Sequence, residues 1–312
     1  MPRVGYNPAN VTIKTDARVT IDKAFIAHLE LTAAQAAAAS AAGVMALTNL
    51  GAAAQEITVG LAHPAVPRSL SIVGNVSGIT GNVKIYGTNY AGEAIDETIA
   101  LNGTTTVNGN KAFRSVTQVD LPVQVHTPAA QTETMEVTAA VSSAGDVTLA
   151  LTAAALGEES PKSVVVTLTT DENTVTKVAA AMVEALNHDE DVSAHFVASN
   201  EAGVITLTAL TPLANDVSLA LAFTDTDTTG VTMGSSTNGT GGVPYDKVSV
   251  GWGNKLGLPY MLEHNTVLAA YLNNTIESTP PTVAVDDDEV EKNTVLLARA
   301  LNGTVVDIYL IV

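Results

Sequence analysis

The sequence predicts a mainly β protein: a β-sandwich or barrel-like domain, split by a small inserted α+β domain that is β-rich with one helix. Hydrophobic residues make up 46% of the chain but aromatic residues only 4%, so the apolar content is mostly Ala, Val, Leu and Ile. Val, Ile and Thr favour strands, whereas Gly and Asn supply tight turns. The tetrapeptide Leu-Asn-Gly-Thr also occurs twice, at 101–104 and 301–304, on either side of a different style of sequence.

Residues 1–56 predict an extended N-terminal arm followed by a short Ala-rich helix. Alternating segments at 11–15 and 18–21 indicate strands without a core of their own, which would dock on a neighbour. Thr32 and Gln35 have the spacing of a capping box, in which the two side chains satisfy free backbone N–H groups. An alanine run follows, and Gly43 is placed to end the helix.

The split β domain is predicted over 57–124 and 243–312. Asn102-Gly103 suits the type I′ turn of a hairpin, and Asn108-Gly109 indicates a second turn. Because the second Leu-Asn-Gly-Thr also follows an alanine and precedes a β run, we expect the two flanking segments to share one architecture. The predicted strands are 69–74, 83–87, 93–101, 113–121, 247–250, 266–271, 280–285, 294–299 and 304–312.

The inserted domain is predicted over 125–242. Asp171–Thr174 forms a helix cap with acidic charge at the positive end of the helix. Apolar residues from Val175 to Leu186 then recur at helical spacing. Gly234–Gly242 has the composition of a flexible linker. The predicted strands are 135–141, 147–151, 163–169, 195–199, 204–210 and 217–223.

The charge and composition exclude several classes of function. The formal net charge is −18, so the surface repels nucleic-acid phosphates and anionic membranes, and it favours a basic or mixed-charge protein partner. There are no cysteines, which excludes disulfides and thiolate chemistry. Residues 1–10 show no signal-peptide pattern, and the apolar run at 33–42 is too short to span a bilayer.

No catalytic, metal or cofactor residue is predicted, and we expect the protein not to be an enzyme. Residues 251–257 have the wrong spacing for a nucleotide loop, so we interpret them as a glycine-rich turn that places Trp252 against the core. Asp286–Glu289, with Glu291, forms a carboxylate cluster that lacks calcium-loop spacing, which favours a solvated or partner-facing loop.

The histidines show no metal-ligand spacing. We single out His264, which follows Glu263 in a predicted loop. The six histidines are His28, His63, His126, His188, His195 and His264.

Two segments of the predicted split domain resemble structural proteins of tailed-bacteriophage virions. One runs from Val66 to Thr104 and contains Gly-Asn-Val-Lys-Ile-Tyr-Gly-Thr-Asn-Tyr; the other runs from Lys255 to Val312 and ends in Val-Asp-Ile-Tyr-Leu-Ile-Val. Residues 163–182 of the insert are similar to small β-rich domains of phage head and tail proteins. The resemblance implies a virion protein and transfers no catalytic residues.

The resemblance is strongest to capsid decoration, or cement, proteins. It implies that the chain binds the major capsid protein on the outer capsid surface and associates with itself, most simply as a trimer. We expect it to be made in the bacterial host cytoplasm, located in the virion, and to bind neither nucleic acid nor membrane. The alternative is a tail-tube, baseplate or fibre component. A carbohydrate-binding module is less favoured, because such sites use exposed aromatic rings and this chain has one tryptophan.

Overall fold

The computed structural model describes residues 13–14, 20–21, 26–259, 267–286 and 288–311. Strands hold 49% of the chain and helices 10%, which confirms the predicted mainly β class. The chain divides into two compact units, which we call the split unit (1–125 with 246–312) and the insert (126–245). The insert begins one residue later and ends three residues later than the segment predicted from the sequence.

The first part of the split unit contains the predicted strands and four strands that the sequence did not indicate, over Ile26–Leu31, Ser40–Asn49, Gln55–Ile57 and Val107–Phe113. These strands are β1 (Ile13–Lys14), β2 (Thr20–Ile21), β3 (Ile26–Leu31), β4 (Ser40–Asn49), β5 (Gln55–Ile57), β6 (Arg68–Gly74), β7 (Asn82–Thr88), β8 (Ala94–Ala100), β9 (Val107–Phe113) and β10 (Ser115–Leu121).

The insert contains eight described strands and two α-helices, with a short 3₁₀ helix at Ala154–Glu159. They are β11 (Thr132–Ala139), β12 (Gly145–Thr152), β13 (Lys162–Leu168), α1 (Val175–His188), α2 (Glu190–Ser193), β14 (Phe196–Glu201), β15 (Val204–Ala209), β16 (Ala220–Asp225), β17 (Thr232–Met233) and β18 (Thr237–Thr240).

The last part of the split unit adds six described strands and a 3₁₀ turn at Val290–Lys292. The strands are β19 (Lys247–Gly257), β20 (Val267–Leu272), β21 (Thr275–Ile276), β22 (Thr282–Ala284), β23 (Thr294–Leu296) and β24 (Val306–Ile311).

Two sheets of the split unit mix strands from both of its chain segments, and all its described strand pairs are antiparallel. One sheet has the order β22-β23-β19-β6-β9, with β4 also paired to β19, and another has the order β21-β20-β24-β3. A third sheet, β5-β10-β7-β8, comes from the first segment alone, and β1 pairs with β2. Two apolar clusters form the core, one around Leu70, Ile72 and Phe113 and the other around Leu256 and Ile308.

The predicted Ala-rich helix is wrong, and the described part of the predicted arm, from Ile26 onward, lies in the sheets of the split unit. The capping-box contact does form: the Thr32 N–H donates to Gln35 Oε1 at 3.0 Å. It closes a single turn, however, and no helix follows. The chain then continues as β4. Gly43 does not end a helix: a Cβ there would lie 2.7 Å from the ring of Trp252, so the glycine lets the strand approach the indole.

Both Leu-Asn-Gly-Thr segments are turns of the split unit, but neither joins neighbouring strands of one sheet. Gly103 has φ +54° and Gly303 has φ +78°, the left-handed conformation that glycine tolerates best. The strands that flank each turn lie in different sheets, so the predicted Asn102-Gly103 hairpin is wrong. The predicted turn at Asn108-Gly109 is also wrong, because it lies inside β9, where a Cβ on Gly109 would lie 2.3 Å from a carboxylate oxygen of Glu97.

The insert combines a five-stranded sheet, a three-stranded sheet and α1 around one apolar cluster. Helix α1 begins after Thr174, whose hydroxyl accepts from the Lys177 N–H at 3.3 Å, which confirms the predicted cap. Its buried face carries Val178, Met182 and Leu186.

The predicted flexible linker at 234–242 is instead partly a strand of the insert. β18 pairs with β11, and the Thr240 N–H donates to Thr132 Oγ1 at 2.7 Å. Threonine residues on both strands therefore hold this segment in the sheet, whereas its glycine-rich composition predicts a flexible backbone.

Residues close to the two ends of the insert lie side by side. Ala129 and Val243 exchange two backbone hydrogen bonds of 2.9 and 3.0 Å. In the split unit, the Val125 N–H donates to Asp246 Oδ2 at 2.7 Å, so the flanking residues also meet. Adjacent ends are what allow a domain to be inserted in a surface loop without disturbing the host fold.

Candidate functional site

The carboxylate cluster at 286–291 forms a compact loop of the split unit. Asp286 Oδ1 accepts from the Glu289 N–H at 2.8 Å and from the Asp288 N–H at 3.0 Å, so it caps its own turn. The Asn293 side chain closes the loop, since its Nδ2 donates to the Asp286 carbonyl at 2.8 Å. Asp287, the remaining member of the cluster, lies outside the described residues.

Two lysines neutralise the acidic loop. Lys111 Nζ on β9 lies 2.7 Å from Glu289 Oε1 and 3.2 Å from Glu291 Oε1. Lys292 pairs with Glu289 and lies 3.3 Å from Asp286 Oδ2. The carboxylates are therefore directed at ammonium groups, and the loop is an ionic link between β9 and the 290–292 turn.

The pKa shifts in this loop have the signs expected of ion pairs. Hydrogen bonds from Lys111 and Lys292 lower the pKa of Glu289, and the two backbone N–H donors lower that of Asp286. Desolvation opposes the charged form of Lys111, but its bonds to the two glutamates outweigh that effect and raise its pKa. All these shifts favour the charged forms, so the geometry supplies neither a neutral amine nor a protonated carboxyl for acid–base chemistry.

Residues 251–257 form the second half of strand β19, so the predicted glycine-rich turn is wrong there. A Cβ on Gly251 would lie 1.7 Å from the Ser40 carbonyl, which explains a glycine at this crossing of β4 and β19. Trp252 does pack against the core, as predicted, and its indole N–H donates to the Ala38 carbonyl at 3.2 Å.

A polar pocket of about 380 Å³ lies beside Trp252. It contains Ser69 Oγ and Asn254 Oδ1, two buried atoms that hydrogen-bond to no described protein group. Its polar lining also includes Ser40, Ser71, Thr106, Asn108 and Lys255. No described histidine or carboxylate lines it, and Lys255 is the one ionisable side chain among its described lining residues.

A buried arginine lies next to this region. Arg68 is 1% exposed, and its Nη2 donates to the Ala37 carbonyl at 2.7 Å. Burial lowers the pKa of the guanidinium to about 10. The contact fixes the alanine segment that precedes β4, which gives Arg68 a structural role.

The described histidines other than His28 lie at separate places in the two units. His63 Nδ1 accepts from the Val116 N–H at 3.1 Å, His188 lies in the last turn of α1, and His195 is exposed in the insert. His126 is the first residue of the insert. His264 and Glu263 lie outside the described residues.

His28 belongs to a cluster that the sequence did not predict. Its Nε2 lies 2.8 Å from Asp307 Oδ1, and its ring stacks on Tyr309 with centroids 4.4 Å apart and planes 1° apart. Glu30 is on the same strand, and the ligand atoms of His28, Glu30 and Asp307 all lie within 4.8 Å of one another. The histidine and the aspartate are 279 positions apart, so only the pairing of β3 with β24 could reveal the cluster.

Within the part of the chain that the structure describes, no helix is long and apolar enough to cross a membrane. The sequence matches no protein-family model, and no significantly similar protein is found among curated proteins.

Proposed function

We propose that this chain is a non-enzymatic structural protein of a bacteriophage virion that coats the outer capsid surface and stabilises it. The architecture that carries the proposal is a β unit made from two distant chain segments, with a complete second unit inserted in one of its loops. This division suits a protein in which one unit contacts a lattice and the other projects from it.

The distribution of charge supports different roles for the two units. The insert holds 15 acidic and 2 basic side chains, a formal net charge of −13, whereas the split unit holds 17 acidic and 12 basic ones, a net charge of −5. A surface of high net charge resists association, and one of mixed charge can form complementary contacts. We therefore assign capsid binding to the split unit and the solvent-facing position to the insert.

The resemblance of 66–104 and 255–312 to virion structural proteins gives the proposal its biological setting. Both segments lie in the split unit, the one that we assign to the capsid. The partner would be the major capsid protein, and self-association, most simply as a trimer, would supply the symmetry of a capsid site. The described residues add no nucleophile–base pair that would favour an enzyme.

The mass of the purified protein in solution tests this proposal. Light scattering at two concentrations should give a trimer, or a monomer that becomes trimeric as the concentration rises. A hexameric ring or spontaneous tubes would contradict the proposal and support a tail-tube protein instead.

A further inference from the structure

The exposed face of the β21-β20-β24-β3 sheet carries an unusual set of side chains. In the register of β3 and β24, His28 lies opposite Tyr309 and Glu30 lies opposite Asp307. Alternate residues of a strand share a face, so these four side chains project to the same side. Ala27, the residue between Ile26 and His28, is buried on the other side.

Two carboxylates face each other across this strand pair. Like charges at directly opposite positions destabilise a sheet. His28 is the one described residue that forms an ion pair with either carboxylate, through its 2.8 Å contact with Asp307. Glu30 forms no hydrogen bond or ion pair with the described residues. Asp307 therefore has only the imidazole of His28 as a partner and Glu30 has none among the described residues, so part of their repulsion is not offset.

We propose that His28, Glu30 and Asp307 bind a divalent transition-metal ion of the zinc class. Zinc lies about 2.0–2.2 Å from imidazole nitrogen and carboxylate oxygen, so in its tetrahedral geometry two ligand atoms are about 3.3–3.6 Å apart. The three ligand atoms already lie within 4.8 Å of one another, and small side-chain rotations bring them into that range. Calcium and magnesium prefer oxygen ligands alone, so the imidazole selects for a zinc-like ion.

The histidine is held in place for this role. The stack on Tyr309 fixes the plane of the imidazole, and Tyr271 packs edge-on against Tyr309 at 6.1 Å. The metal would take the position between His28 Nε2 and Asp307 Oδ1, and water would complete its coordination. The two carboxylates balance the charge of the ion, so binding removes the repulsion between Glu30 and Asp307.

Calorimetric titration of the full chain with zinc chloride tests the site. We expect one ion per chain. Glu30→Gln should weaken zinc binding by at least about 10- to 100-fold. That range is known for residues that hold a metal ligand in place, and the loss of a ligand itself should not be smaller. His28→Ala should weaken it to the same extent. The matched control is His195→Ala, which removes an exposed imidazole of the insert and should leave the affinity unchanged.

A second measurement guards against misfolded variants. Glu30→Gln retains the His28–Tyr309 stack, so its melting temperature without metal should be at least that of the unchanged protein. In a histidine-selective NMR spectrum, zinc should shift the signals of His28 and leave those of the other five imidazoles in place. Absence of binding, binding that Glu30→Gln and His28→Ala both leave unchanged, or loss of binding in His195→Ala would overturn the site.

Discussion

The split unit and the insert are both antiparallel β structures, but they place their charges differently. In the split unit, Lys111 of the first chain segment bonds to Glu291 of the last one, and within the last segment Arg299 Nε lies 2.5 Å from Glu277 Oε1. In the insert, acidic side chains outnumber basic ones by 15 to 2. One of its two lysines, Lys162, pairs with Asp189 and Asp191.

The difference is what we expect of a chain in which one unit binds a partner and the other is solvated. In the split unit, some charged side chains form ion pairs between parts of the chain that are far apart in sequence, such as Lys111 with Glu291. The net charge of this unit is low. The insert is stabilised by one apolar core and a helix, and of its acidic side chains only Glu133 is buried. The units should therefore differ in how they fold, how they respond to substitution and how they respond to salt.

The largest expected effect concerns independent folding of the insert. Its ends meet through Ala129 and Val243, and its core contains only its own residues. Residues 126–245 expressed alone should give a cooperative thermal transition and a mixed α and β circular dichroism spectrum. A disordered peptide would show that the insert depends on the split unit.

Core substitutions should destabilise one unit at a time. Leu149 on β12 and Ile72 on β6 are both fully buried. Leu149→Ala and Ile72→Ala should each cost about 3 kcal/mol of unfolding free energy, because each leaves a cavity. In calorimetry of the full chain, each should lower the transition of its own unit and leave the other in place. A shift of both transitions by either substitution would mean that the units unfold as one.

The ion pairs of Lys111 in the split unit should contribute more to the free energy of unfolding than an exposed ion pair does. Lys111→Met leaves Glu291, which is 8% exposed, without its cation, so we expect a loss of about 1–2 kcal/mol of unfolding free energy. The control is Lys84→Met, which removes an exposed pair with Asp96 and should leave stability unchanged. Denaturant titration measures both, and equal effects would contradict the structural role of the acidic loop.

Loss of the α1 cap should have a smaller effect, confined to the insert. Thr174→Ala removes the acceptor of the Lys177 N–H and should cost about 1 kcal/mol. Thr176→Ala, at an exposed position within the same helix, should cause no loss, because alanine favours helix. Equal losses in the two variants would show that the cap does not determine the stability of the helix.

Salt should produce the smallest difference between the units. Added sodium chloride screens repulsion among the acidic side chains of the insert and should raise its melting temperature slightly. The split unit, with nearly balanced charges, should respond less. A larger rise for the split unit would contradict the charge comparison.

The sequence predicted regular elements best where neighbouring residues determine them. Thr174 and the apolar spacing from Val175 to Leu186 are sufficient to define α1. The alanine run has equally good helix propensity, yet it forms a single turn and then enters β4 at Ser40, because pairing with β19 and the fit of Gly43 on Trp252 decide its structure. Tertiary contacts of this kind produce no pattern in the neighbouring sequence from which they could be predicted.

Chemical clusters were harder to predict for the same reason. The acidic loop is visible as a run of carboxylates, but the ammonium of Lys111 that neutralises it is 178 positions from Glu289. His28 and Asp307 also come from opposite ends of the chain. Only the strand register, which the composition does not specify, brings these groups together.

The location of the chain in the virion tests the central claim most directly. Gold-labelled antibodies against the purified insert, applied to intact virions, should decorate the outside of the capsid, because we assign the insert to the solvent-facing side of a capsid-bound protein. Labelling of the tail, or of no part of the virion, would contradict the account.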